Sequence, residues 1–294
     1  MYKVDNAVIM AAGTSSRFAP LSYERPKSLI EVKGEILIER QIRQIKDAGI
    51  SDIYVVTGYK GEQLEYLREK YGVYLIKNDE YDVRNNNSSI KTASDVIANT
   101  YICSADNYFS INPFEKEVDE SYYSALYSEG KTKEWCVHED AGGYIDEVTI
   151  GGENSWYMMG HTFWSEEFSR TFIKILNEIY EESSTKNMLW EDIYINNLNK
   201  LKMMVRRYND DDIFEFDSLD ELRIFDKTYI CNTRSEIIKK IAAELNVSEE
   251  NLCGFRAVKS KNLNEAIGFE FFSGGKTYYY EYKNGKILEC DSDN

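Results

Sequence analysis

Residues 8–29 read Val-Ile-Met-Ala-Ala-Gly-Thr-Ser-Ser-Arg-Phe-Ala-Pro-Leu-Ser-Tyr-Glu-Arg-Pro-Lys-Ser-Leu, an apolar run, then small residues, then a cation, then Pro-Lys. The run Val8 to Met10 predicts a buried strand that empties into Ala11, Ala12, Gly13, Thr14, Ser15 and Ser16. Side chains this small let backbone N–H groups close on an anion. Arg17 and Lys27 add two cations able to make charge-assisted hydrogen bonds to phosphate. A plain strand-to-helix turn has no use for Arg17, Pro26 and Lys27 together, so the chemistry this stretch supports is nucleotide binding.

The same residues resemble the signature of the nucleotidyltransferase superfamily: A-A-G-x-x-S-R, a Pro-Leu pair, then P-K-S/A-L, every element present in order. Members couple a nucleoside triphosphate to a phosphorylated small molecule and release pyrophosphate. The resemblance implies that the turn around Gly13 holds base and triphosphate and that Arg17 and Lys27 neutralise phosphates. In such a transfer a phosphate oxygen of the acceptor attacks the α-phosphorus in line. That nucleophile is already an anion, so no general base is needed, and a metal with placed cations must bring two anions together. The scarcity of histidine, His138 and His161 alone, agrees with chemistry of this kind.

Asp106, in Cys103-Ser104-Ala105-Asp106-Asn107-Tyr108, falls at the carboxyl end of an expected parallel strand, where open α/β sheets place their sites. It resembles the family's metal position, and Ala105 beside it belongs to the implied nucleotide contacts. The resemblance implies a second metal carboxylate after an aromatic residue, in Leu189-Trp190-Glu191-Asp192, with Asp192 preferred to Glu191. The metal implied is Mg2+. Asn85-Asn86-Asn87-Ser88-Ser89 is a polar loop opening a helix; Asn86 and Ser88 are candidates for the base, because an amide offers both donor and acceptor. All four tryptophans, Trp135, Trp156, Trp164 and Trp190, lie in one stretch with Tyr157. They suggest an aromatic cage for a quaternary ammonium, which ring faces hold at roughly 1–2 kcal/mol each when desolvated.

Taken with Gly58-Tyr59, Lys70 to Val73, Asn78-Asp79, Ala105 to Tyr108 and Glu134-Trp135, residues 4–226 resemble bacterial CTP:phosphocholine cytidylyltransferases. The resemblance implies CTP and phosphocholine as substrates and Trp135 at choline. Thr14-Ser15 departs from the usual Leu/Gly pair. Other readings are a cytidylyltransferase for 2-aminoethylphosphonate or phosphoethanolamine, a sugar-1-phosphate nucleotidyltransferase, and a silent nucleotide-binding module. An acidic rather than an aromatic grip on the ammonium would mark the first of these.

Positioning such a site calls for an α/β domain with a Rossmann-like, mostly parallel sheet of the nucleotidyltransferase type. Strands are expected at 4–10, 52–57, 73–76 and 100–105, with helices at 36–48, 62–71 and 89–98. In the first helix Ile38, Ile42 and Ile45 share one side and Gly49 stops it. From 122 to 164 five short β segments alternate around a Gly142-Gly143 turn. Helices at 168–180 and 189–198, strands at 201–207 and 214–216, and a helix at 218–225 capped by Ser218 complete a domain over 1–226.

A small α+β unit is expected over 227–294, with a capping box of Thr233 and Glu236 and strands at 268–272, 278–282 and 287–288. It resembles the opening of a choline kinase amino-terminal lobe. Gly274-Gly275-Lys276-Thr277 ends like a phosphate loop, but Glu270 stands where the leading glycine is required and the flanks are strands. A helix-turn-helix reading of 237–252 fails for want of a basic face. Over the whole chain 51 acidic residues oppose 35 basic ones, a net charge of −16 that repels nucleic acid and anionic membrane. The five cysteines lack metal spacing and read as reduced thiols, and with no apolar run of spanning length or signal peptide the expected location is cytoplasmic.

Overall fold

Asn6–Ala11 is apolar on both faces and becomes the buried strand β1, flanked on each side by parallel neighbours. A computed structural model describes residues 1–259 and 266–290. The chain divides into two units, residues 1–13 with 37–215 and residues 14–36 with 216–294. This division differs from the one expected at residue 226, because 14–36 makes its side-chain hydrogen bonds and ring contact with the C-terminal segment.

In the first unit, β2 (Ile53–Thr57), β3 (Tyr74–Lys77), β4 (Thr100–Ser104), β5 (Tyr122–Glu139), β6 (Ile145–Trp164) and β7 (Met204–Arg207) join β1 in one sheet of order β7-β5-β6-β4-β1-β2-β3. β1, β2, β3 and β4 run parallel, with Ala11 opposite Thr57 and Met10 opposite Ser104; β6 is antiparallel to β4 and β5. The five β segments expected over 122–164 are two long strands. Gly130 and Gly151, both at positive φ, bend the pair without ending it, and the register shifts between Ser128 and Lys131.

Helix α1 (Leu37–Asp47) buries Ile38, Ile42 and Ile45 and ends at Gly49 with φ 85°, as its periodicity predicts. The helical stretches expected at 62–71 and 89–98 are shorter, α2 (Tyr66–Tyr71) and α3 (Asn87–Thr92). On the other face α4 (Glu166–Ile179) and α5 (Trp190–Ile195) close the core through Phe168, Phe172, Leu176, Trp190 and Ile193.

The second unit contains a stretch of single helical turns, Ser16–Phe18, Leu21–Glu24 and Lys27–Leu29, followed by a short hairpin whose turn residues Lys33 and Gly34 both have positive φ. Its C-terminal part has α6 (Leu219–Phe225), α7 (Glu236–Leu245) and an antiparallel sheet of β8 (Cys253–Lys259), β9 (Ala266–Ser273), β10 (Lys276–Glu281) and β11 (Lys286–Glu289). Ser218 caps α6 as expected, accepting from the Glu221 N–H. The capping box placed on Thr233 and Glu236 is displaced by two residues: Ser235 caps α7, while Thr233 donates to the Glu249 carboxylate. Residues 260–265, within the stretch likened to a kinase lobe, lie outside the described residues. Among the described residues no helix is long and apolar enough to cross a membrane, and Cys103, Cys136, Cys231 and Cys253 form no disulfide.

Candidate active site

In the first unit the carboxyl ends of four parallel strands gather the polar turns. β1 leads into Ala11, Ala12 and Gly13, of which the two alanines are buried and Gly13 is exposed. After β2, Gly58 passes so close to that turn that a Cβ would sit 2.8 Å from the Ala12 carbonyl oxygen and 2.7 Å from Tyr81 Cγ, and the next N–H, of Tyr59, donates to Ala12. A Cβ on Gly13 would meet nothing within 4 Å. Gly13 is therefore not demanded by packing or by φ, and the space over it is open to a close-lying ligand.

After β4, Ala105 is buried and donates its N–H to the Met10 carbonyl, which ties this end to β1. Asp106 follows, half-buried. Asn107 is buried with neither amide atom hydrogen-bonded among the described residues. An unpartnered buried amide is costly, which makes this strand end a place where a polar occupant would be stabilising.

The base-loop candidates are used internally instead. Asn86 accepts the Trp190 N–H at 2.7 Å and donates to Glu191 at 3.1 Å, so its amide ties the start of α5. Ser88 is buried, donates to the Asn85 carbonyl and accepts from Asn78. Neither side chain needs a base to be satisfied.

Asp192 has a structural task of its own. As the third residue of α5 it accepts the Leu189 N–H at 2.7 Å through one carboxylate oxygen, an N-terminal cap that satisfies an orphan donor. Glu191 is the unusual acid. Burial pushes its carboxyl up to about 7, against the lowering effect of the Asn86 amide and of the Tyr123 hydroxyl 3.4 Å away. Among the described residues no three His, Cys, Asp or Glu side chains group as metal ligands.

The tryptophans do not form one cage. Trp164 and Trp190 are 0% and 1% exposed, 5.1 Å apart edge to face, and pack with Phe172 in the core, so neither offers a ring face to a ligand. The expectation erred because residue type carries no information on which sheet face a ring takes. Trp135, Trp156 and Tyr157 are half-buried on the long hairpin. Trp156 already carries the Arg207 guanidinium 5.1 Å over its ring, with Tyr127 at its edge. Burial, then the charges of Glu134 and Asp210, raises the Tyr157 hydroxyl. Tyr123, which sequence reasoning passed over, stacks on Trp190 at 5.7 Å beside Glu191.

In the second unit, Thr14, Ser15 and Ser16 are half-buried, and Ser15 turns the chain with φ 46°. The N–H groups of Thr14 to Arg17 take no backbone acceptor among the described residues; the first bonded N–H is that of Phe18, donating to Ser15. Arg17 is 77% exposed with its guanidinium 2.5 Å from Asp217, and the 6% exposed Lys27 holds its ammonium 4.0 Å from the other oxygen of the same carboxylate. Asp217 is thus the common partner of both cations and was missed in the sequence, where it reads only as an acid preceding the Ser218 cap.

Residues 7–128 match the MobA-like NTP transferase domain. A choline-phosphate cytidylyltransferase of Streptococcus pneumoniae is 31% identical over 217 residues, 74% of this chain and 95% of that protein. The chain belongs to the cytidylyltransferase family. A 2-aminoethylphosphonate cytidylyltransferase of Lancefieldella rimae is 36% identical over 234 residues, 78% of this chain and 95% of its own length. The solved structure of the Streptococcus pneumoniae CTP:phosphocholine cytidylyltransferase superposes with a TM-score of 0.73 at 31% identity, covering 77% of this chain and 99% of that one. Being a nucleotidyltransferase, this cytidylyltransferase family member has the fold its opening motif implies, with a further small antiparallel sheet at its C-terminal side.

Proposed function

We propose that this chain transfers CMP from CTP to phosphocholine, giving CDP-choline and pyrophosphate. The observation that carries the reading is the run of N–H groups from Thr14 to Arg17 that take no backbone acceptor among the described residues, in the same segment as Arg17 and Lys27, a polyanion-binding arrangement joined in sequence to the open turn at Gly13. An acceptor phosphate oxygen forms a bond to the α-phosphorus while the α-phosphorus to bridging-oxygen bond breaks, and its electron pair leaves with pyrophosphate. Lys27, nearly buried, is suited to hold a fixed charge against the phosphates; Arg17, exposed, would exchange its Asp217 partner for phosphate.

Asp106 and the unpartnered amide oxygen of Asn107 are oxygen donors, the ligand type Mg2+ takes when phosphates and waters complete its shell, so these residues fit a divalent metal. When bound, such an ion supplies charge neutralisation of the triphosphate. Trp135, half-buried on the hairpin, is the ring assigned to the ammonium of the acceptor, and its neighbours Trp156 and Tyr157 remain with it in the proposal.

A second reading, 2-aminoethylphosphonate as acceptor, is favoured by the withdrawal of Trp164 and Trp190 into the core, which leaves fewer rings to grip an ammonium. Pyrophosphate release with Mg2+ and CTP, comparing phosphocholine, 2-aminoethylphosphonate and glucose 1-phosphate, decides among them. Preferential turnover of phosphocholine supports the first reading, preferential turnover of 2-aminoethylphosphonate replaces it with the second, and turnover of the sugar phosphate alone refutes both.

A further inference from the structure

The residues that flank Lys27 are held on both sides by one C-terminal residue. Two positions before Lys27, the Arg25 guanidinium donates to the Arg234 carbonyl at 3.1 Å. Four positions after it, the Arg234 guanidinium lies 3.3 Å from the Glu31 carboxylate and 3.4 Å from the Glu31 carbonyl. That same carbonyl accepts the Tyr229 hydroxyl at 2.6 Å, and the Arg234 guanidinium stacks 4.3 Å over the Tyr229 ring. Arg234 has φ 58°, a backbone region that a long side chain rarely occupies, and it is kept there by its N–H donating to the Asn232 side chain.

The rest of the segment is gripped in the same way. Glu24 accepts the Ile237 N–H in the first turn of α7, Tyr23 stacks on Tyr282 with ring centroids 3.6 Å apart, and the Lys33 N–H donates to Asp226. Their common effect is to fix the backbone between Arg25 and Glu31.

We propose that Arg234, with Tyr229, is a positioning residue for CTP: it sets the Pro26–Lys27 turn in its nucleotide-binding conformation before the nucleotide arrives. The proposal rests on the reading of Lys27 as a phosphate ligand. It accounts for why a C-terminal residue carries a strained backbone and a bidentate grip on a segment two hundred residues away in sequence.

The test compares full-length wild type, Arg234→Ala, Arg234→Lys, Tyr229→Phe and Lys27→Ala at a saturating level of whichever acceptor turns over. Hydrogen exchange of residues 25–31 is followed in the nucleotide-free proteins. Losing a charge-assisted pair predicts that Arg234→Ala raises KM for CTP by about tenfold with a smaller change in kcat and faster exchange at 25–31, and that Arg234→Lys recovers part of both. Tyr229→Phe, which keeps the ring and loses only the hydroxyl, moves both readouts in the same direction by less, and it carries the test should Arg234→Ala fail to fold. Unchanged KM for CTP and unchanged exchange in Tyr229→Phe and in a folded Arg234→Ala overturn the proposal. Should Lys27→Ala keep wild-type turnover and KM for CTP, the reading of Lys27 falls; an impaired Lys27→Ala beside unaffected Arg234 and Tyr229 variants removes the positioning role alone.

Discussion

Replacing Glu191 by glutamine should stabilise the protein in neutral and mildly alkaline solution and do almost nothing in acid. In the folded chain burial holds the carboxyl up to about 7, whereas the unfolded chain releases the same proton near its ordinary value of 4.5. Between those two values the folded state binds more protons than the unfolded one, so stability falls as pH rises through the window and is level above it. A rise of this size corresponds to about 3 kcal/mol once the carboxylate is fully charged. Glutamine keeps the volume and an oxygen to accept from Asn86, so it removes the charge without opening a cavity. Urea denaturation of wild type and Glu191→Gln at half-unit steps from pH 4.5 to 8 should show a difference that opens steadily and levels off at its full value above about pH 7. A difference that is constant across that range would refute the account of a carboxyl kept neutral by burial.

Three further outcomes follow from packing and charge. Gly58→Ala should cost about 1–3 kcal/mol in denaturation, since its Cβ must displace Tyr81 and the Ala12 carbonyl, whereas Gly13→Ala should leave stability within about 0.5 kcal/mol and instead weaken CTP binding in titration calorimetry; the reverse pattern would misplace the open side of the turn. His161, bonded to Tyr122 and Ser124, is pushed down to about 3 by burial, so the unfolded chain binds the extra proton as pH drops from 6.5 and stability is lost on acidification, by up to about 5 kcal/mol; His161→Gln should lack much of that slope in acid denaturation. Trp164→Ala should cost about 3–5 kcal/mol by emptying the core, while Trp135→Ala should raise the acceptor's KM far more than that of CTP, and equal effects on both substrates would remove Trp135 from the acceptor.

The parallel sheet was legible because each of its strands is short and apolar and is followed by small or polar residues, as in Val8 to Gly13 and Ile102 to Asp106. Helix α1 was legible for the same reason of period, with Ile38, Ile42 and Ile45 turning up buried. The gaps expected between the short β segments of 122–164 are absent, because β5 and β6 bend at Gly130 and Gly151 without ending. At the site, the two cations Arg17 and Lys27 stand out in the sequence but their shared partner does not. Asp217 lies two hundred residues from Arg17, and no local pattern encodes such a pairing. Asp192 and Asn86 show a different limit, since an acid or amide near a helix start suits a ligand and a cap equally well, and only coordinates reveal that both bond to the start of α5.

The chain passes from one unit to the other at Gly13, at Ile36 and again at Glu215, so the second unit is built from two pieces far apart in the sequence. On a ribosome adding about 5–20 residues per second, Tyr23 and Glu24 emerge on the order of ten to fifty seconds before Tyr282 and Ile237 exist to receive them. The first functional motif to be translated is therefore the last to be completed. A nascent chain that has not yet reached residue 216 carries the nucleotide signature without the scaffold that shapes it.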